Sequence, residues 1–320
     1  MRLVVALTSV SVALLLISTA ATTGDWPKGY LVHENSESPD RQFGVVVPGS
    51  EDADEKSEGS DGANYLANLK THELLGKIAD ADYVENQKHS NLNVIWSADS
   101  KTCVVEQEAR FGFVTISVLQ LKGTGFQQTN LGRRIEKALA AAADEEGTGN
   151  AWLRFAPNNK LLVRALYYTG APNGMVVGEL DGRDKNRKIA RFAGTFDLIS
   201  KKWSESEAHK TNHWDALYDI YAEDPVFVVV SQEDQSKVPA NFIFVSSEEK
   251  KAERLDERMN KVYKNLRVVL PPARFAKVHQ EQVAWLKKRD AAKSVEEKSK
   301  LTEERTRALR DLAWVTRTIN

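Results

Sequence analysis

The chain has one cysteine, Cys103, in 320 residues, so no internal disulfide can form and ordinary packing must hold the fold together. It also lacks an excess of either charge: 44 Lys and Arg against 45 Asp and Glu give a net −1. That excludes the broad basic field used to hold nucleic acid or another polyanion. No Gly-x-Ser-x-Gly elbow, phosphate loop, dinucleotide fingerprint or Cys-x-x-Cys pair occurs, which removes the commonest sequence signs of an enzyme or a cofactor site. A membrane-spanning run is missing as well. The longest apolar stretch, Leu3 to Ile17, is interrupted by Ser and Thr and falls short of the roughly 20 residues a spanning helix needs.

That stretch has another reading. Arg2 gives a basic start, the apolar run follows, and Ser18-Thr19-Ala20-Ala21 closes it with small residues. This is the layout of a secretory signal peptide over residues 1–21, so the mature chain is expected to be exported, periplasmic or extracellular, and free of the membrane after cleavage.

From Trp26 to about Ser247, short β-branched and aromatic runs alternate with turn residues. "SPDRQFGVVV" begins at Ser38, "SADSKTCVVE" at Ser97 and "APNNKLLVRA" at Ala156, two successive intervals of 59 residues. Each copy places an Asp or Asn turn ahead of an aliphatic run, the pattern of a β-hairpin. "ANYLANLKTHELLGKI" from Ala63 is echoed by "AGTFDLISKKW" from Ala193. Residues 48–62, with six acids and one lysine, cannot bury anything and read as an acidic loop. Residues 22–247 are therefore expected to form an antiparallel β-rich domain of repeated hairpins, propeller-like or else a sandwich. The segments around Trp96 and Tyr65 resemble blade hairpins of TolB-like or WD-repeat propellers.

Chemistry is thin in this part. Cys103 sits in an alternating run and reads as a buried structural thiol. His209, His213 and Asp215 in "HKTNHWD" could share a metal only if the segment were helical, and surface histidines are the default. "HWDALYDIY" reads as a short amphipathic helix with its aromatics inward. No catalytic, metal or cofactor residue is assigned.

After Ser247 the chain turns charged, glycine-free and helical in period. Leu255, Met259, Val262, Tyr263, Leu266, Val269 and Leu270 share one face, Pro271-Pro272 breaks the helix, and Pro272 can open the next. In that second helix Val278, Gln282, Trp285, Leu286 and Arg289 lie on one stripe. Ser294 to Glu297 has the form of a capping box, so either a third helix starts there or the second continues, and the last face uses Leu301, Ala308, Leu309 and Leu312. Residues 248–320 are thus expected to form a small antiparallel bundle, completing an α+β multidomain chain. They hold 19 Lys and Arg against 12 Asp and Glu, while the preceding residues hold 25 against 33.

Asp256-x-x-Met259-Asn260-x-x-Tyr263, Gln282-x-x-Trp285-Leu286-x-x-Arg289-Asp290 and Leu301-Thr302-x-x-Arg305-Thr306 together resemble the helical domain of the LprI-type lysozyme inhibitor family. Lys293 stands where members of that family carry a cysteine. The resemblance implies an exported bacterial protein that binds another protein, lysozyme-like or of the cell envelope, without catalysis. Asp256, Asn260, Tyr263, Gln282, Trp285, Arg289 and Asp290 are its signature. A buried amide and guanidinium must be hydrogen-bonded, so Asn260 and Tyr263 are expected to meet Gln282 and Arg289, with Asp256 and Asp290 neutralising the arginine. The signature then reads as a register lock between helices, with Trp285 and Arg289 as an exposed partner-binding pair the alternative. Two other roles stay open: an envelope protein whose bundle only caps the β part, and a hydrolase.

Overall fold

A computed structural model describes residues 26, 29–49, 62–83, 91–108, 113–169, 188–222, 226–229 and 242–315. The signal-peptide reading of residues 1–21 and nearly all of the acidic loop lie outside these. The chain divides into two compact units, Met1–Lys88 and His89–Asn320.

The first unit is one antiparallel meander: β1 (Tyr30–Val32), β2 (Phe43–Pro48), β3 (Tyr65–Asn68) and β4 (Glu73–Lys77), paired in chain order. Val45, Val46, Val47, Leu66 and Ile78 are fully buried. The second unit begins with β5 (Asn91–Trp96), β6 (Thr102–Glu108), β7 (Thr115–Lys122) and β8 (Gly125–Asn130), then α1 (Gly132–Ala143). A further meander follows: β9 (Gly147–Ala156), β10 (Lys160–Thr169), β11 (Ile189–Asp197) and β12 (Lys202–Lys210). After α2 (Trp214–Tyr221) come β13 (Val226–Val229) and β14 (Phe242–Val245), a parallel pair. Then come α3 (Glu248–Val269), α4 (Pro272–Asp290) and α5 (Val295–Val315). Among the described residues no helix is long and apolar enough to cross a membrane.

The 59-residue interval marks the first hairpin of each four-stranded sheet. Arg41, Ser100 and Asn159, spaced by that interval, all have positive φ, at 56°, 58° and 56°. In the first two copies a serine builds the turn. The Ser38 hydroxyl donates to Asp40 at 2.6 Å and accepts from Phe43 N–H at 3.0 Å; Ser97 does the same with Asp99 at 2.7 Å and Thr102 N–H at 3.0 Å. The third copy has Ala156 in that place and relies on Asn158 and Asn159, both with positive φ, a conformation asparagine tolerates. The second recurring element also repeats in geometry. Asn68 and Asp197 each accept from two backbone N–H groups ahead of them, and a register shift sits just before each turn.

α1 was not expected among strands. Its buried face, Ile135, Leu139 and Ala143, closes one core with Val104, Ile116 and Val118 of β6 and β7 and with Val163 and Tyr167 of β10. Gly147 and Gly149 lie at the start of β9, where a Cβ on Gly149 would stand 1.9 Å from the Leu166 carbonyl oxygen. Only glycine permits that approach. Cys103 is fully buried, and burial pushes its thiol above the ordinary value.

The bundle does not close on itself. Met259, Val262 and Leu266 of α3 and Leu309 and Ala313 of α5 share a core with Trp214, Leu217 and Ile220 of α2 and with Leu166 and Tyr168 of β10.

Candidate functional site

Each helix of the bundle is framed by its own residues. The Ser247 hydroxyl accepts from Lys250 N–H at 3.3 Å, and Glu248 and Glu249 occupy the first turn of α3, at the positive end of its dipole. Pro271 and Pro272 stop α3 and open α4. The Ser294 hydroxyl accepts from Glu297 N–H at 3.1 Å, and Glu297 reaches back to Lys293 N–H at 2.9 Å, so the capping box starts α5.

The face of α5 differs from the expected one. Ala308 is exposed, and the buried stripe is Thr302, Thr306, Leu309 and Ala313. Threonine serves here because its hydroxyl returns to its own helix: Thr302 donates to Lys298 O at 2.9 Å and Thr306 to Thr302 O at 2.8 Å.

Five of the signature residues, Asp256, Gln282, Trp285, Arg289 and Asp290, meet where the helices pack. Arg289 bridges both oxygens of Asp256 at 3.1 and 3.2 Å, pairs with Asp290 at 3.0 Å, and lies 5.3 Å over the Trp285 ring. The Thr302 hydroxyl oxygen also lies 3.3 Å from Asp256, so α3, α4 and α5 meet at one point. Gln282, only 5% exposed, donates to the Met259 sulfur at 3.1 Å and accepts from Arg305 at 2.8 Å. Asn260 and Tyr263 are therefore not its partners. Asn260 is exposed, one position round the helix from Met259, which takes the inward place. Tyr263 instead bonds His279 at 2.7 Å. Arg305 belongs to the same sequence pattern, and its spacing alone does not mark it as the partner of Gln282. Burial pulls its guanidinium below the ordinary value, against the pull of Glu281.

Replacing Gln282 by Leu should cost about 1–3 kcal/mol, because the Arg305 Nε–H loses its acceptor inside the bundle. Tyr263→Phe, which removes a hydroxyl from a partly exposed ring, should change stability by less than about 0.5 kcal/mol. Urea unfolding of both variants checks the contrast.

Asp219 of α2 had no signal in the sequence. Its carboxylate meets Lys261 at 2.8 Å and Asn265 at 3.1 Å, and its carbonyl accepts from Arg258 at 2.7 Å, which locks α2 to α3.

Tyr263, alone of the signature residues, lines an open groove. Where α3 turns into α4, Tyr263, Arg267, Pro272, Phe275, Ala276 and His279 enclose about 670 Å³. Tyr263 and Phe275 lean together with ring centroids 5.2 Å apart. Trp285 packs against the core and is half-buried.

The earlier metal candidate is not assembled. His209 lies on strand β12, paired with Glu207 at 3.3 Å, while His213 precedes α2 and Asp215 lies in its first turn. Among the described residues no three His, Cys, Asp or Glu side chains gather as a metal site.

The fold defines a class: an antiparallel three-helix bundle seated on a β-sheet. Residues 246–313 match the family model LprI, described as "Lysozyme inhibitor LprI", and this is the stretch that carries the signature. No curated protein matches the chain. The likeness of the first part to propeller hairpins gains no support from these comparisons.

Proposed function

We propose that this chain is an exported, non-enzymatic protein that binds a lysozyme-type glycoside hydrolase through its C-terminal helices and inhibits it. The match of residues 246–313 to an inhibitor family carries the reading. The signal-like layout of residues 1–21 supports export to where such hydrolases act. The surplus of seven positive charges over residues 248–320 favours a hydrolase with an acidic surface and opposes a strongly basic one.

A second reading, in which the helices cap the β-sheet, draws on the core they share with Leu166 and Tyr168. The two are compatible, since docking uses the inner faces and leaves the outer flanks open.

Turbidity clearing of bacterial cell walls by purified lysozymes tests the proposal, with the full chain from residue 22 as the added protein. Clearing by an acidic-surface enzyme should slow in proportion to added protein, and the effect should weaken as salt rises. Unchanged clearing by acidic and basic enzymes alike would retire the inhibitor reading.

A further inference from the structure

We propose that the groove at the α3–α4 elbow receives an acidic segment of a partner protein that also bears a bulky apolar side chain. This deepens the protein-binding reading and rests on it. The floor is apolar and aromatic, formed by Tyr263, Pro272, Phe275 and Ala276, and its roughly 670 Å³ holds a few side chains of a docked segment. Val283, four residues beyond His279 on the same face of α4, is 43% exposed and continues the apolar strip outward.

The rim decides the charge. Residues 258–280 contain six Lys and Arg and no Asp or Glu. Arg258 and Lys261 are engaged by Asp219 on the flank facing α2. Lys264, Arg267, Arg274 and Lys277 are exposed, and none forms an ion pair among the described residues. The acids that bound this stretch face elsewhere: Glu257 pairs with Arg254 at 2.9 Å, and Glu281 stands 3.8 Å from Arg305. The first turn of α4 adds to the same sign, having neither an acidic residue nor a side-chain cap. Cations round an apolar floor fit carboxylates flanking an apolar anchor. Single-stranded nucleic acid would need open stacking faces, whereas Tyr263 and Phe275 are tilted 45° and cover one another.

Fluorescence anisotropy on the full chain tests this, using a labelled short peptide that alternates Asp and Glu with Leu and Phe. Comparison probes are its Asn/Gln counterpart, an oligoglutamate of equal length and an oligothymidylate. Saturable binding of the acidic-apolar peptide should exceed that of each comparison probe by about tenfold. Arg267→Glu should weaken it by a similar factor while the thermal midpoint is retained; Phe275→Ala should weaken it likewise with some fall in the midpoint, because Phe275 also packs on the helical core; Lys300→Glu on α5 should not weaken it. Equal binding by oligoglutamate or oligothymidylate, indifference to Arg267→Glu, or no binding at all overturns the proposal. Peptide binding without lysozyme inhibition would remove the hydrolase as target but leave the groove; inhibition without peptide binding would do the reverse.

Discussion

Arg164→Ala should destabilise the protein by about 3–5 kcal/mol, with the loss seen first in the helices. Arg164 lies on β10 and is 5% exposed. Its guanidinium donates to Val163 O at 2.8 Å, to Gly194 O at 3.1 Å and to Trp314 O, and stacks 5.6 Å over the Trp314 ring. Trp314 lies in the last turn of α5, so its carbonyl is among those the helix cannot satisfy internally, at the negative end of the dipole. One buried cation therefore serves as both a cap and a latch between bundle and sheet. Burial pulls its guanidinium below the ordinary value, partly offset by Tyr221. Arg154 also reaches α5, through Asp311, but both side chains are more than 40% exposed, so Arg154→Ala should cost less than about 1 kcal/mol. Urea unfolding, with amide exchange of α5 as a second readout, separates the two. If Arg164→Ala costs no more than Arg154→Ala, the latch is refuted.

The second large effect is on pH dependence. Glu106 of β6 is 6% exposed, and its side-chain contact is a long hydrogen bond from Asn93 at 3.4 Å. Burial first, and the charge of Glu108 second, push its carboxyl up to about 8, against an ordinary 4.5. A raised acid pKa means the folded state holds the proton that the unfolded state has released. The stabilising contribution is then complete below the ordinary glutamate value, falls between that value and about 8, and is gone above it. Across that window the unfolding constant should rise about tenfold per pH unit, reaching roughly a thousandfold. Glu106→Gln keeps shape and hydrogen bonding but cannot ionise, so its denaturant midpoint should be nearly level from pH 5 to about 8 once other groups are accounted for by the parent curve. An identical slope in both proteins would show that Glu106 is ionised in the fold.

Much of the bundle could be read from residue order because its signals are local. The apolar spacing of α3, the Pro271-Pro272 break and the Ser294 cap each depend on neighbours within a turn or two. The hairpin interval is local in the same way, since an Asx turn and one left-handed residue repeat at 41, 100 and 159. What escaped was set at a distance or hidden by residue type. α1 begins at an apolar cap, Leu131, with no side-chain cap bond, and its apolar spacing at Ile135, Leu139 and Ala143 is a short helical signal set among strand runs. The α5 face was hidden because Thr302 and Thr306 are polar by name yet satisfied by their own helix. Gln282 chose Met259 and Arg305 over Asn260 because the helix phase turns Asn260 to solvent, a difference of one residue that spacing alone does not resolve. Asp219 meets residues about forty positions away, and only the docking of α2 brings them together.

Hydrogen exchange of the full chain, with and without a saturating acidic-surface lysozyme, addresses the central claim most directly. Partner binding through the C-terminal helices requires slowed exchange in the stretch from the middle of α3 to the middle of α4, with β1–β12 unchanged. Slowing confined to the sheets, or none anywhere, would contradict it.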